Sequence, residues 1–491
     1  MLTSREEYFC VINCIISSHL PRQTAASLPF VYLCLDCPYT QAHLEKAFDR
    51  RRSQWRILPP SCDPSVIDSA VVWCSEYESL DWGAALAPPY RILCNFCIRK
   101  GLGRKSNLAE TLCGYTARHP ASPLAHSFPA TLVLDLYAAF HARPAWLDLR
   151  SALTEALFEA EEKLSADPGT PWILKPSITN KGAGIVIVKS LEEVEAAVCE
   201  ERDVGQWVLQ RYVQNTLLLP ISSCGRHKFH IRLYAVAVGA LEVHCFREAL
   251  LLIAPSPYTS DTSRTSSHIT NTVVSIASED FVEDIHVRCL SELPTMLGGG
   301  AEVGERASTL FSRMLSIVAH CFAAMEGKTG GFQPLPTSGE LYGVDFLVRE
   351  DWSPVLLEFN PTPDVKQTGS RLDGVIEGMF DGLLKVALDS RVLRPNSHAV
   401  GIDSHHDAAP LVLSPAAPGA PVCIDTEPRI PKGGCHANGV AKEFPAWYPG
   451  CSGIPIPHTA IPRVDTMGHS GWDCVYSKKW IPAHNSFIRI H

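Results

Sequence analysis

The chain has 491 residues, a net charge of −9 and 46 % hydrophobic residues. That length supports two or three packed lobes, and the acidic balance excludes a protein that coats nucleic acid by bulk positive charge, while local basic patches stay open. The 18 cysteines are scattered, the start carries Glu6 and Glu7 with no cleavage-site pattern, and no apolar run approaches the ~20 residues needed to cross a bilayer. The expectation is a cytoplasmic chain with reduced thiols and neither nucleic acid nor membrane as a partner.

Residues 1–150 read as an α/β lobe. Tyr8 to Ile16 and Val31 to Leu35 suit a first helix and strand, with short strands at Trp55 to Leu58 and Ala70 to Cys74. Arg91 to Lys105 begins apolar, turns basic around Gly101 and Gly103, and leads into a helix near Ser106 to Tyr115 that Ser106 can cap. Lys105 at that helix start can reach a phosphate, although a solvated basic turn reads the same way. The C-x-x-C pairs Cys34/Cys37 and Cys94/Cys97 lack zinc-ribbon intervals and sit among apolar residues, so they read as small buried hydrophobes.

Residues 151–225 read as a second lobe. A helix is expected over 151–165. Trp172 to Pro176 and Ile185 to Val188 then form a hairpin around a polar tip carrying Lys181, Gly182 and Gly184. The two glycines let backbone amides approach phosphates, and Lys175 would meet them from beneath. A strand–loop–strand is neither a Walker loop nor a Rossmann turn. Leu191 to Glu200 is an amphipathic helix. Trp207 to Val213 is a strand whose exit, Gln210, Arg211, Tyr212 and Val213, suits a hinge against a base.

Residues 226–395 carry the densest chemistry. Lys228, His230, Arg232 and Tyr234 alternate with Phe229, Ile231 and Leu233, which puts the basic and titratable groups on one face. Such groups suit an anionic ligand, or an open sheet face. A strand from Leu241 ends at Arg247-Glu248, where Arg247 can fork a carboxylate. A Ser/Thr/Pro-rich loop closes at His268 to Asn271, with His268 read as a satisfied structural histidine. Glu305 to Met325 is a long helix. Leu341 to Val348 and Val355 to Leu357 then pair through a turn at Arg349 to Ser353 and deliver Asp345, Glu358 and Asn360. Glu358 and Asn360 are two residues apart and share a face. Oxygen donors so placed suit Mg2+ beside a phosphate, and an amphipathic hairpin with solvent-facing acids is the plainer alternative. Residues 396–491, rich in Pro, Gly and His, read as a low-order tail.

The ordered set Ile173-Leu174-Lys175-Pro176, Lys181-Gly182-Ala183-Gly184, Gln210-Arg211-Tyr212, Lys228-Phe229-His230-Ile231-Arg232, Arg247-Glu248, His268 to Asn271, Gly343-Val344-Asp345 and Glu358-Phe359-Asn360-Pro361 resembles the tubulin–tyrosine ligase family, over roughly residues 90–390. The resemblance implies the ATP-grasp fold, with mixed and antiparallel sheets in two lobes clasping ATP beside the N-terminal α/β lobe. It also implies an ATP- and Mg2+-dependent ligase that joins a free amino acid to a protein carboxylate such as a tubulin tail, acting as a monomer. Lys105, Lys175, Lys228 and the 177–184 loop would hold phosphates, with Gln210 to Val213, His230 and Asn271 completing the nucleotide site. Asp345, Glu358 and Asn360 would hold Mg2+; Arg232 and Arg247 would place the carboxylate and stabilise an acyl phosphate. His230 stands where many relatives carry aspartate, and no long basic extension is present. Both features leave open a second reading, an ATP-binding interaction module with weak or no catalysis.

Overall fold

The computed structural model describes residues 28–59, 61–87, 91–178, 184–221, 225–271, 275–276, 278–328, 330–366, 370–389, 472–477, 479–483 and 486–490. All belong to one compact unit; the other unit, residues 394–460, lies outside them, as does the helix expected at Tyr8 to Ile16.

The N-terminal sheet is parallel, in the order β2-β1-β3-β4, from β1 (Phe30–Cys34), β2 (Arg56–Ile57), β3 (Val72–Ser75) and β4 (Ile92–Leu93). Parallel neighbours need crossovers, and α1 (Pro38–Asp49) supplies one. Its leading proline removes an amide that has no helical partner in any case. The four cysteines of the C-x-x-C pairs are free thiols, but they are not the buried hydrophobes expected: Cys34 is exposed and Cys37, Cys94 and Cys97 are half-buried, and no metal cluster of His, Cys, Asp or Glu occurs among the described residues. The chain then enters α2 (Lys105–Arg118).

The second lobe is an antiparallel sheet in the order β5-β8-β6-β7, from β5 (Thr131–Asp135), β6 (Trp172–Pro176), β7 (Val186–Val188) and β8 (Gln206–Arg211). It therefore starts at β5 rather than at residue 151. The helix expected over 151–165 is two, α3 (Leu149–Ala156) and α4 (Phe158–Ala166), interrupted at the buried Leu157. Asp148 caps α3 by accepting from the Ser151 amide, and Ser190 caps α5 (Leu191–Glu200) by accepting from Glu193.

The central sheet runs β12-β11-β10-β13-β14, with β9 (Leu218–Pro220) on the leading end of β10 (Arg226–Val238). The others are β11 (Glu242–Ile253), β12 (Val287–Cys289), β13 (Gly339–Val348) and β14 (Pro354–Pro361). The β10 alternation holds. Phe229, Ile231 and Leu233 enter the main core with α6 (Ala301–Ala324), while Tyr234, Val236 and Val238 enter a second core with α1 and α7 (Asp373–Leu384). One face of β10 is thus polar at one end and apolar at the other, and that change of character locates the site. By length and composition α6 could cross a membrane, but its apolar stripe lies in the main core.

Two departures from the expected layout stand out. β11 does not end at Arg247-Glu248 but runs on to Ile253, a register shift opposite Leu233 and Ala235 absorbing the extra residues. Within the stretch expected to be a low-order tail, Trp472–Ser477 (β15) pairs with β11, and Lys479–Ala483 (β16) pairs with Ser486–Ile490 (β17). Their β-rich composition was outweighed by the Pro/Gly/His bias of the residues before them.

Candidate active site

The second lobe and the central sheet face each other across a cleft of about 810 Å3, counting space open to solvent. Three of its lysines come from three separate elements, Lys105 from α2, Lys175 from β6 and Lys228 from β10; Arg232, also on β10, is not among the lining residues but holds the lining Asp345. All are buried or nearly so. Lys175 Nζ donates to Gln210 Oε1 at 2.9 Å, and Gln210 Nε2 donates to Thr131 Oγ1 at 2.9 Å. Lys228 Nζ donates to Tyr212 Oη at 2.7 Å and lies 4.2 Å from that ring's centroid. The Tyr212 hydroxyl in turn donates to His268 Nδ1 at 2.7 Å, and His268 Nε2 donates to the Asp261 carbonyl at 2.9 Å. Burial pushes the Lys228 ammonium down to about 7, with Lys175 adding repulsion. It pushes Lys175 down to about 8, against the pull of Glu358.

β13 and β14 deliver the acids as the hairpin predicts. Asp345 pairs in register with Glu358, and Gly343 with Asn360. A register shift just beyond Asp345 keeps both carboxylates on the cleft side. Arg232 grips Asp345 through Nε and, at 2.9 Å, through Nη2. Burial works against the guanidinium charge, and the Asp345 carboxylate more than restores it. Asn360 Nδ2 donates to Asp345 at 3.1 Å and to Glu358 at 3.3 Å. Lys105 Nζ stands 3.2 Å from Glu358 Oε2. Burial pushes the Glu358 carboxyl up, but Lys105 and Lys175 hold it at about 2.

Glycines permit this crowding. A Cβ on Gly343 would lie 2.8 Å from Arg232 Cδ and 2.9 Å from Pro363 Cβ. A Cβ on Gly103 would meet Pro361 Cγ at 2.8 Å, so the turn into α2 rests on the end of β14. Gly184 has φ +70° and packs over Pro176, again with only 2.8 Å for a Cβ; its contact is thus the Lys-Pro strand end.

His230 is buried in the cleft. Its Nδ1 lies 2.6 Å from Thr270 Oγ1, its Nε2 has no hydrogen-bond partner among the described residues, and burial pushes it down to about 4, so the ring is neutral. Asn271 and Val213 line the cleft, as does Arg211, whose guanidinium turns out to Asp167 at 2.9 Å. Lys181 and Gly182 lie outside the described residues. Arg247 is exposed on the β11 bulge and is not among the cleft-lining residues, because the strand continues where an end was expected. Ser106 is not the cap of α2, since Arg104 holds that position. Its hydroxyl, 2.7 Å from Ser177 Oγ, donates to Gln206, while the Lys105 and Ser106 amides donate to Ser177. The start of the 177–184 loop is thereby tied to α2.

Sequence reasoning missed the apolar walls. Ile173, Ile185 and Ile187 face Leu347 and Leu357 across the cleft, forming a slot that suits a flat aromatic ligand. Their alternation within the second-lobe hairpin and the two ends of the acidic hairpin was visible, but nothing local says that two sheets share them.

The comparisons with known proteins agree with this geometry. The sequence profile of the tubulin–tyrosine ligase family matches residues 134–398. The chain belongs to the tubulin–tyrosine ligase family. It is 31 % identical over 354 residues to a "Probable tubulin–tyrosine ligase" of Schizosaccharomyces pombe, covering 64 % of this chain and 81 % of the relative. It is 30 % identical to the "Probable tubulin–tyrosine ligase PBY1" of Saccharomyces cerevisiae, covering 63 % of this chain and 44 % of that longer protein. Among solved structures, the C-terminal domain of Pby1 from K. lactis, described as an ATP-grasp enzyme interacting with the mRNA decapping enzyme Dcp2, aligns with a TM-score of 0.51 at 24 % identity. That alignment covers 73 % of this chain and 92 % of the domain. The fold is ATP-grasp, and the family places the chain among ATP-grasp ligases.

Proposed function

We propose that the chain is an ATP- and Mg2+-dependent carboxylate–amine ligase that adds a free amino acid to a protein carboxylate, with an acidic tubulin tail as the first acceptor to test. One observation carries this reading. Three lysines and two carboxylates line a cleft with apolar walls, and Arg232 and Asn360 are hydrogen-bonded to those carboxylates. In the reaction an acceptor carboxylate oxygen attacks the γ-phosphorus of ATP and ADP leaves. The amine of the amino acid then attacks the acyl carbon, phosphate leaves with the bonding pair, and the amine loses a proton.

Each part of the site has a task in that scheme. Ile173, Ile185, Ile187, Leu347 and Leu357 hold the base. Lys105, Lys175 and Lys228 hold phosphates. Arg232 stands where charge develops on the acyl phosphate. Asp345 and Glu358 form a pair of hard donors on facing strands, a chemical fit for Mg2+, which the Asn360 amide would join on turning its oxygen inward in place of the Nδ2 that donates to both. Bound there, Mg2+ would neutralise phosphate charge. No enzyme nucleophile is needed, since positioning and charge neutralisation in a dry cleft suffice. The protein is taken to act as a monomer in the cytoplasm.

A second reading, an ATP-binding interaction module, is favoured by the bidentate Arg232–Asp345 pair, which already neutralises one metal-facing carboxylate. The deciding experiment is Mg2+-dependent ATP hydrolysis with tubulin and tyrosine, glutamate or glycine, beside Glu358→Gln. Amino-acid-dependent turnover that falls at least a hundredfold in Glu358→Gln is expected. Tight ATP binding without turnover under any of these conditions would sink the tubulin-ligase reading and favour the module.

A further inference from the structure

His230 has no task in the ligase scheme, yet it lines the cleft and is only 4 % exposed. It sits on β10 two residues before Arg232, so the two side chains share a face. Arg232 lies directly opposite Asp345 on β13. His230 therefore stands one pleat along, diagonal to that carboxylate, with its Nε2 3.8 Å from Asp345 Oδ1. That is too long for a hydrogen bond, and Nε2 has no other partner among the described residues.

The other ring nitrogen decides what Nε2 can do. Nδ1 lies 2.6 Å from the hydroxyl of Thr270, itself buried. When Nδ1 donates its proton to that hydroxyl, Nε2 faces Asp345 with a bare lone pair. In the opposite tautomer Nε2 carries a proton that reaches no acceptor. Either form leaves a buried polar atom unsatisfied, which is costly unless a ligand meets it. A cation held between Nε2 and Oδ1 meets it. Two donors each about 2.1 Å from one ion stand about 3.0 Å apart at a right angle and about 4.2 Å apart in line, and the observed 3.8 Å falls between these limits. A hydrogen bond from the second ring nitrogen is also what fixes the orientation of a metal-bound histidine.

We infer that His230 Nε2 and Asp345 Oδ1 are two protein donors to the cation that accompanies the nucleotide, and that the nitrogen makes the site favour a first-row transition ion over Mg2+. Mg2+ takes oxygen donors, whereas an imidazole shifts preference toward the transition ions. Phosphate and water oxygens complete the shell, so no third protein donor is required. Without ligands Arg232 holds the same carboxylate; a phosphate entering with the cation gives its guanidinium another partner. The inference rests on the ligase reading for the nucleotide and its cation, and names the class of cation that this chain prefers.

The test is pulsed electron paramagnetic resonance of Mn2+ bound to the full chain with a non-hydrolysable ATP analogue, in protein with and without nitrogen-15 in its histidines. A coordinated ring nitrogen gives a hyperfine coupling that changes with the label, which sets it apart from the nitrogens of the base. That coupling is expected in the unchanged protein, whose spectrum decides the matter even if a variant fails to fold. It should vanish in His230→Asp while Mn2+ stays bound, because an oxygen donor replaces the nitrogen. By calorimetry Co2+ should bind the nucleotide-loaded protein more tightly than Mg2+, and the ratio of the two affinities should fall at least tenfold in His230→Asp. Thr270→Val, which removes the anchor of Nδ1, should weaken Co2+ binding roughly tenfold and keep the coupling. Bound Mn2+ without histidine coupling would overturn the inference and leave the ligase reading standing, with Nε2 serving a nucleotide oxygen instead. Coupling that persists in His230→Asp, or an unchanged affinity ratio, would overturn it too. Failure of Mn2+ to bind beside the nucleotide would sink both. Histidine coupling in a protein that shows no amino-acid-dependent turnover would sink the ligase reading alone.

Discussion

Nucleotide binding at this site should take up protons, because Lys228 is held below its ordinary range. Burial pushes its ammonium from 10.5 down to about 7, so at pH 8 the empty protein carries only roughly a tenth of a proton there. A triphosphate beside it restores the charged form, and binding then draws in roughly 0.9 proton at this residue alone. Lys175, pushed down to about 8, adds about half a proton by the same reasoning. ATP affinity should therefore fall as pH rises above about 7, approaching tenfold per unit for one proton. Calorimetry at pH 8 in two buffers of different ionisation enthalpy counts the protons directly. In Lys228→Met the uptake should drop to the Lys175 share. Uptake near zero, or uptake unchanged in Lys228→Met, would refute the argument. For the empty protein the sign is opposite to the familiar paired-lysine case. Unfolding returns Lys228 to its ordinary value and takes up a proton, so stability rises with pH from about 7 toward 10.5.

The remaining predictions concern glycines whose missing side chains hold the site open. Gly343→Ala should force Arg232 aside, since the new Cβ would stand 2.8 Å from its Cδ. The expected cost is ~1–3 kcal/mol in urea unfolding, with turnover down at least tenfold and ATP-analogue affinity within about threefold, because the base and Lys228 contacts are elsewhere. Gly184→Ala should raise the KM for ATP several-fold at nearly unchanged kcat: its φ of +70° disfavours an L side chain by about 1–2 kcal/mol, and Pro176 leaves no space for one.

The parts legible in the sequence are those fixed by period-two alternation and by strand-ending prolines. Lys228, His230 and Arg232 share a face because alternate residues must, and the five-residue turn at Arg349 to Ser353 pairs the two acidic strands, although only a register shift beyond Asp345 puts Glu358 rather than Leu357 opposite it. What the sequence did not reveal depends on which separate elements meet. Arg247 looked like a strand end because Arg-Glu interrupts an apolar run, but a bulge carries β11 through it. Ser106 looked like a cap because serine precedes a helical pattern, but tertiary contact with Ser177 and Gln206 gave its hydroxyl another partner. The isoleucine and leucine walls were ordinary strand residues until two sheets closed over one space.

The charges explain why a nucleotide and a divalent cation would enter this cleft together. Without ligand, Asp345 is engaged by Arg232 and Asn360, Glu358 by Lys105, Lys175 by Gln210 and Lys228 by Tyr212. Each charge is taken out of water only because a protein partner offsets that loss. A nucleotide entering alone would satisfy the lysines but set its phosphates against the two carboxylates. A cation entering alone would satisfy the carboxylates but face Arg232 and Lys105. Entering together, phosphate replaces the carboxylates as partner to the cations, and the metal replaces the cations as partner to the carboxylates. The same exchange frees the Arg232 guanidinium from Asp345 when a phosphate is present to be transferred. On this account the Arg232–Asp345 pair, which by itself favours a non-catalytic module, is the resting form of a site that becomes competent only with both ligands bound.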